Sequence, residues 1–415
     1  MFEKDRNYWL YISPHVYCNL KERKALLYNT HTGERIESAD DKILSLLHLL
    51  HEKKNLGAIE CRGDLLEQEP YYSFVTKFCE KGMGNVVDKE KMPERPIQLM
   101  PVLNLQRDVE KLQKERDRHT GEEILHYLLE LNVYLYTSCE QHCPFCNDYF
   151  RQSLCCTAKH SAQSPETLDI STLQNILLQI RYGAVGKINL LGGNILEYPC
   201  YKKLLTLLAD FKDRVRIWNH YANFIDNQIV TSDFLYEVPV TFPVDKNTWK
   251  YCITLLKETK VRYHFFITRV EEYEETSVLI EEYGISNFAI HPVYTGANHP
   301  FFEEYVYTCC EDIFRAKFSF RQLFVHQKLN TRFFGSLTIF PDGNVHADTH
   351  NPALGNISTD TLLDIINKEM LRNTAWRKIR DEKPCSDCLY QYLCPSPSNY
   401  ELAIGKPNLC HVIKS

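Results

Sequence analysis

Apolar positions along the chain fall into three successive patterns. At the front, Tyr8-Trp-Leu-Tyr-Ile12 and Ala25-Leu-Leu-Tyr-Asn29 have strand character, and Thr32-Gly33 supplies the turn that closes a hairpin. Ser38 precedes Ile43, Leu44, Leu46, Leu47, Leu49 and Leu50, whose helical spacing predicts a helix capped by that serine. A second helix is predicted over residues 71–79, ended by Gly82 and Gly84. Strands followed by helices predict a small winged-helix-like module over residues 1–95, with no metal spacing and no catalytic pair, which suits binding better than chemistry. Pro93 and Pro96 then interrupt the chain, and the Lys, Glu and Arg residues of 107–118 read as a solvated helix within a linker over 96–127.

From 128 to 325 short apolar runs alternate with helical spacing. Strands are predicted at 133–136, 188–191, 215–218, 238–242, 263–268 and 288–293, with helices such as 171–181 and 201–211 between them. Six strands alternating with helices is the pattern of an α/β fold with a parallel sheet or partial barrel, whose ligands sit at the carboxyl ends of the strands. Beyond 325 the alternation stops. Pro341-Asp342-Gly343-Asn344 signals a hairpin, 362–368 a helix, and a dense cysteine tail completes a segment over 326–415.

Composition narrows the class. With 415 residues, 44% hydrophobic and 25% charged, the chain is long enough for two or three globular domains. Its net charge of −6 and the absence of a Lys/Arg run argue against a nucleic-acid partner. No apolar h-region follows the first residues and no apolar run is long enough to span a membrane, so a cytoplasmic location is expected. In that compartment 16 cysteines point to metal or cluster ligation and core packing, not to a disulfide framework.

The sharpest chemistry is Cys139-Glu-Gln-His-Cys143-Pro-Phe-Cys146, just after the first predicted barrel strand. Three cysteines on one tight loop can hold three irons of a 4Fe–4S cube and leave the fourth open to a substrate. A zinc site with His142 or a distant residue as fourth ligand is the other reading, although zinc sites usually show paired CxxC spacings. Leu190-Leu-Gly192-Gly193-Asn194-Ile195 follows the second predicted strand, and two glycines there let backbone approach a ligand closely, which a side chain would block. In the tail, Cys385-x2-Cys388-x5-Cys394 and then Cys410 read either as a zinc ribbon or as cluster ligands. Cys155-Cys156 could supply a thiol near the cluster loop. The remaining cysteines, with Asn219, Asn223 and His291, have simpler readings as packing, capping or structural residues.

The cysteine loop resembles the CxxxCxΦC signature of the radical S-adenosylmethionine (SAM) superfamily, with Phe145 as its aromatic residue. Gly192, Gly193 and Asn194 resemble the family's GGE motif, which holds the SAM amino group; Asn194 replaces the acidic residue and loses charge assistance. The tail resembles a SPASM domain, the extension of radical SAM peptide maturases. Laid over that pattern, Gly343 keeps its glycine, Asp348 and Ser398 stand where cysteines belong, and no cysteine occupies 328–340. The lost positions are those of the inner auxiliary cluster. The resemblance therefore implies one auxiliary 4Fe–4S cluster on Cys385, Cys388, Cys394 and Cys410, besides the SAM-binding cluster on Cys139, Cys143 and Cys146. The front module resembles the element that binds a leader peptide as an added strand.

Together these imply reductive cleavage of SAM and hydrogen abstraction from a ribosomally made precursor peptide. An external electron donor is implied, and so is a soluble location without membrane or nucleic acid. Two alternatives stand beside this reading. One is a catalytically weak partner that binds peptide or a second radical SAM subunit; the other is a maturase of a folded protein such as a sulfatase.

Overall fold

The computed structural model describes residues 2–97, 124–137, 139–141, 143, 145, 146, 149, 152–154, 166–225 and 229–412. The linker helix expected at 107–118, together with His142, Cys155 and Cys156, lies outside the described residues.

The front of the chain forms two antiparallel sheets. Strands β1 (Asn7–Ile12), β5 (Ala58–Arg62) and β6 (Gly84–Asp88) make one, in the order β5-β1-β6. Strands β2 (Val16–Lys21), β3 (Lys24–Asn29) and β4 (Arg35–Ser38) make the other. The turn expected at Thr32-Gly33 joins β3 to β4, with Gly33 at φ +83. The helix Asp41–His51 is capped by Asp40, whose Oδ1 accepts from the amides of Lys42 and Ile43 at 2.9 and 3.2 Å. Ser38 instead ends β4, which corrects the expected cap.

β3 explains why its neighbours escaped the sequence reading. Ala25 and Leu27 face the helix Asp41–His51, while Leu26 and Tyr28 face Ile313, Leu323, Leu389 and Leu393 of the C-terminal region. A sheet buried on both faces does not alternate cleanly between apolar and polar residues. Buried Asn19 on β2 makes the same junction polar: its Nδ2 donates to the carbonyl of Leu389 at 2.8 Å.

The centre is a parallel sheet in sequence order. It runs through β7 (Glu130–Tyr134), β8 (Lys187–Leu191), β9 (Val215–Trp218), β10 (Leu235–Thr241), β11 (Lys260–Ile267) and β12 (Phe288–Pro292). The helices Ile170–Ile180, Tyr201–Leu208, Lys246–Leu256 and Val270–Tyr283 cover one face, with Trp249 fully buried beneath them. β7 begins earlier than the predicted strand at 133–136. Leu131 and Val133 enter the helix-side core, whereas Glu130 and Asn132 line a cavity on the other face, so its first half reads as polar.

β13 (Ser336–Ile339) pairs parallel with β7, and β14 (Asn344–His346) and β15 (Gly355–Asn356) extend the same nine-stranded sheet. The expected hairpin thus joins β13 to β14, with Gly343 at φ +84. The expected helix spans Leu362–Arg372 and adds Leu362, Ile365, Ile366 and Met370 to the main core. Among the described residues no helix is long and apolar enough to cross a membrane.

Candidate functional site

The backbone leaving β7 passes Leu135, whose amide donates to the carbonyl of Leu191 at 2.8 Å, and then enters the cysteine loop. Cys143, Phe145 and Cys146 are buried with Phe266 and Val293 in one small cluster, and half-buried Cys139 packs on it. The amide of Cys146 donates to the carbonyl of Cys143 at 3.0 Å, which closes the turn. The Cys143 thiol is held far above its ordinary range by its contact with Cys146, by burial and by the proximity of Cys139. Three mutually close thiols in an apolar pocket are poor acids alone and good ligands to a cation, which removes their protons. Phe145 packs on Phe266, with ring centroids 5.6 Å apart, so here it shapes the loop.

A further contact reaches Cys143 from β10, which no local pattern announces. Thr241, at the end of β10, hydrogen-bonds its sulfur, and His220 Nε2 lies 3.0 Å from Thr241 Oγ1. The other ring nitrogen of His220 accepts from the amide of Ala222, so Nε2 carries the proton. Burial lowers the His220 pKa to about 3, which keeps this ring neutral.

The Gly-Gly turn lies beside the same loop. Gly192 has φ +121, and a Cβ there would fall 2.1 Å from the Tyr136 carbonyl oxygen. Glycine at 192 is thus demanded by the backbone leaving β7, a different neighbour from the ligand that the sequence pattern suggested. Gly192→Ala should lower stability by about 2–4 kcal/mol, from the overlap plus the left-handed backbone cost; chemical denaturation of variant and parent would measure it.

Gln141 Nε2 donates to Asn223 Oδ1 at 3.1 Å, and Asn223 Nδ2 reaches the carbonyl of Gly193 and Asn219 Oδ1, both at 3.4 Å. These bonds tie the cysteine loop to the ends of β8 and β9. Among the described residues, two buried amide atoms there have no hydrogen-bond partner, the acceptor Asn194 Oδ1 and the donor Asn219 Nδ2. Buried polar atoms are seldom left unpaired, so an acceptor and a donor on neighbouring strand ends fit a polar ligand carrying both kinds of group.

In the tail, Cys385, Cys388, Cys394 and Cys410 line one small cavity with Arg380 and Asn408. Nitrogen donors point at three of the sulfurs: Arg380 Nη1 to Cys385 at 3.8 Å, the Tyr390 amide to Cys388 at 3.4 Å, and Asn408 Nδ2 to Cys410 at 3.2 Å. Burial pushes the Cys394 thiol up to about 12 and raises those of Cys385 and Cys388. Arg380 is itself held by Glu401 at 2.6 Å. Among the described residues, no three Cys, His, Asp or Glu side chains converge as ligands of a single metal ion would. A cube takes one thiolate per iron, so its ligands stand farther apart than those around one ion.

The positions expected to have lost cysteines are served by the protein's own hydrogen bonds. Buried Asp348 accepts from the His350 amide at 2.8 Å and from Asn351 Nδ2 at 2.7 Å. Ser398 caps the helix Asn399–Ile404 in a reciprocal capping box with Glu401.

The inner wall of the sheet is the feature that sequence reasoning missed. A cavity there is lined by Lys187, Arg216, Glu237, Arg262, His264 and His291, with Trp218, Phe266 and the loop residues Ser153 and Leu154. Only His291 stood out in the sequence. The available signal was the recurrence of polar residues at every second position of β11, Arg262 and His264, beside strands that otherwise read as core.

A family model of the SPASM iron–sulfur cluster-binding domain matches residues 331–389, which include Cys385 and Cys388. Among solved structures, Streptococcus suis SuiB bound to precursor peptide SuiA shares the fold at 17% identity and a TM-score of 0.50, over 97% of this chain and 98% of that one. SuiB bound to S-adenosylmethionine aligns at 16% identity and a TM-score of 0.48, over 96% and 98%. No curated protein matches the chain.

Proposed function

We propose that this chain is a radical SAM enzyme that abstracts hydrogen from a ribosomally made precursor peptide and installs a cross-link or similar oxidation. The observation that carries the proposal is the meeting of Cys139, Cys143 and Cys146 in one buried pocket beside the Gly192-Gly193 turn. Support comes from the SPASM match and from sharing a fold with a protein solved with a precursor peptide. In this reading β7 to β12 form a partial (β/α)6 barrel, and the front module is winged-helix-like and binds the leader.

Cys139, Cys143 and Cys146 would hold three irons of a 4Fe–4S cluster. Bound there, such a cluster supplies the electron that splits SAM into methionine and a 5′-deoxyadenosyl radical. Asn194 Oδ1 would accept from the SAM ammonium, and Asn219 Nδ2 would donate to an oxygen of the same molecule. Phe145 and Phe266 keep water from the cysteine pocket. Cys385, Cys388, Cys394 and Cys410 would hold one auxiliary cluster with no open iron, suited to taking up an electron. Arg380, Asn408 and the Tyr390 amide would stabilise its added negative charge.

The test uses anaerobically reconstituted protein: iron is counted, then dithionite and SAM are added and 5′-deoxyadenosine is assayed. About eight irons per chain with deoxyadenosine formed is the expected result. Iron without deoxyadenosine would favour the weak partner subunit, a reading supported by the uncharged Asn194.

A further inference from the structure

On the inner wall, three side chains from adjacent strands form a line. Glu237 Oε2 lies 2.6 Å from His264 Nε2, and His264 Nδ1 lies 2.9 Å from His291 Nε2. The other oxygen of Glu237 is taken by Arg216 Nη1 at 2.8 Å. Burial works against the charge on Glu237, but the bonds from His264 and Arg216 outweigh it and hold its carboxyl below the usual range. It is therefore an ionised acceptor.

The proton positions follow from that anchor. A carboxylate only accepts, so His264 carries its proton on Nε2. With a single proton on the His264 ring, Nδ1 is bare, and the 2.9 Å contact is then a hydrogen bond with His291 Nε2 as its donor. The second nitrogen of His291, Nδ1, is left as a lone pair, with no hydrogen bond to it among the described residues. Burial above all, with the Arg262 cation nearby, lowers the His291 pKa to about 4, so the ring stays in its base form through the neutral range. The groups around the line are Lys187 from β8, Arg216 from β9, Glu237 from β10 and Arg262 from β11. Lys187, Arg216 and Arg262 place three cations on this wall around the one carboxylate, Glu237.

The position suits work on a substrate. His291 stacks on Phe266 with centroids 5.2 Å apart, and Phe266 packs against the cysteine cluster. His291 also lines the cavity that Ser153 and Leu154 share, a few residues beyond the cysteine loop.

We infer that His291 Nδ1 is the base that takes the second proton from the peptide, with His264 and Glu237 as the positioning residues that hold its tautomer and relay the proton away. The inference rests on the enzyme reading above. In a net two-electron oxidation, hydrogen-atom abstraction removes one electron and one proton together. The peptide radical must then lose one more of each. The electron passes to a one-electron oxidant of the iron–sulfur class, such as the tail cysteines would hold. The proton goes to His291 Nδ1, the Nε2 proton of His291 moves to His264 Nδ1, and the Nε2 proton of His264 moves to Glu237. Charge and protons balance, and Arg216, partly exposed beside Glu237, marks the way to solvent.

Long-range 1H–15N spectra of 15N-histidine-labelled protein, without added SAM or peptide, test the tautomers directly. His264 and His291, assigned through single-site variants, should both show neutral Nε2–H rings at pH 7, and Glu237→Ala should remove the preference at His264. A His291 ring protonated on Nδ1, or an imidazolium at pH 7, would overturn the inference whether or not the protein cleaves SAM. With a short peptide encoded beside the gene as the probe, His291→Gln should lower the ratio of modified peptide to deoxyadenosine by about 100-fold. A ratio within about threefold of the parent would equally defeat it. Wild-type protein that makes no deoxyadenosine would refute the enzyme reading and leave the tautomer spectra to decide this one.

Discussion

Cys143→Ala should abolish formation of 5′-deoxyadenosine, a fall of at least about 10⁴-fold, and should lower iron from about eight to about four per chain. Cys143 is the middle cysteine of its loop and is 5% exposed. Cys146 and Cys139 both act on its thiol, and Thr241 bonds its sulfur. With it gone, two thiolates remain on one side of the pocket, too few to bind a cube, and no other described cysteine packs in that cluster. Alanine fits the same pocket with one atom fewer, so the fold should persist and the thermal midpoint should change little. Cys252→Ala is the control. Cys252 is fully buried in the helix Lys246–Leu256 against the main core, and burial alone raises its thiol. That variant should keep its iron and lose only about 1 kcal/mol of packing. Deoxyadenosine formed at the parent rate by Cys143→Ala would remove the cysteine loop from the chemistry.

What was legible in the sequence, and what was not, divides along physical lines. Strands β8 to β12 were readable because their helix-side residues are uniformly apolar: Val238 and Val240 on β10, Tyr263 and Phe265 on β11. The cysteine loop and the Gly-Gly turn were readable because their chemistry needs particular residues at fixed spacings. The structure brings them together through Gln141 and Asn223, a bridge between residues 82 apart that no local pattern announces. β2 was missed because both its faces are covered, β4 because it is four residues long with Ile36 as its one buried side chain, and β5 and β6 because each pairs with the distant β1. The inner-wall line was missed for a related reason. Glu237 and His291 interrupt apolar strands singly, His264 follows Arg262 on β11, and only the parallel register makes the three neighbours. The continuous sheet across β7 and β13 likewise depends on a pairing of residues about 200 apart.

Cys394→Ala carries the second large effect, and its consequences should reach beyond the cluster. Iron should again fall to about four per chain, but this time deoxyadenosine should still form, while modified peptide falls about 100-fold or more for want of an electron acceptor. The residues between Cys385 and Cys394 also form the floor on which the front module rests. Asn19 Nδ2 bonds the Leu389 carbonyl at 2.8 Å, Lys21 Nζ bonds Gln391 Oε1 at 2.7 Å, and Tyr390 OH donates to Glu37 at 2.8 Å. Among the described residues this stretch holds short turns, including Cys385–Asp387, and no long helix or strand. Its shape therefore depends on what its sulfurs bind. Loss of the cluster should lower the thermal midpoint by about 5–10 °C, as removal of several kcal/mol from a domain of this size implies. It should also weaken binding of a leader peptide to the front module, although no residue of that module has changed. Calorimetry, iron analysis and product assay on the one variant separate these effects. A variant that lost product yet kept its thermal midpoint would confine the tail cysteines to electron transfer, and one that lost stability yet kept product would make their cluster a structural support alone.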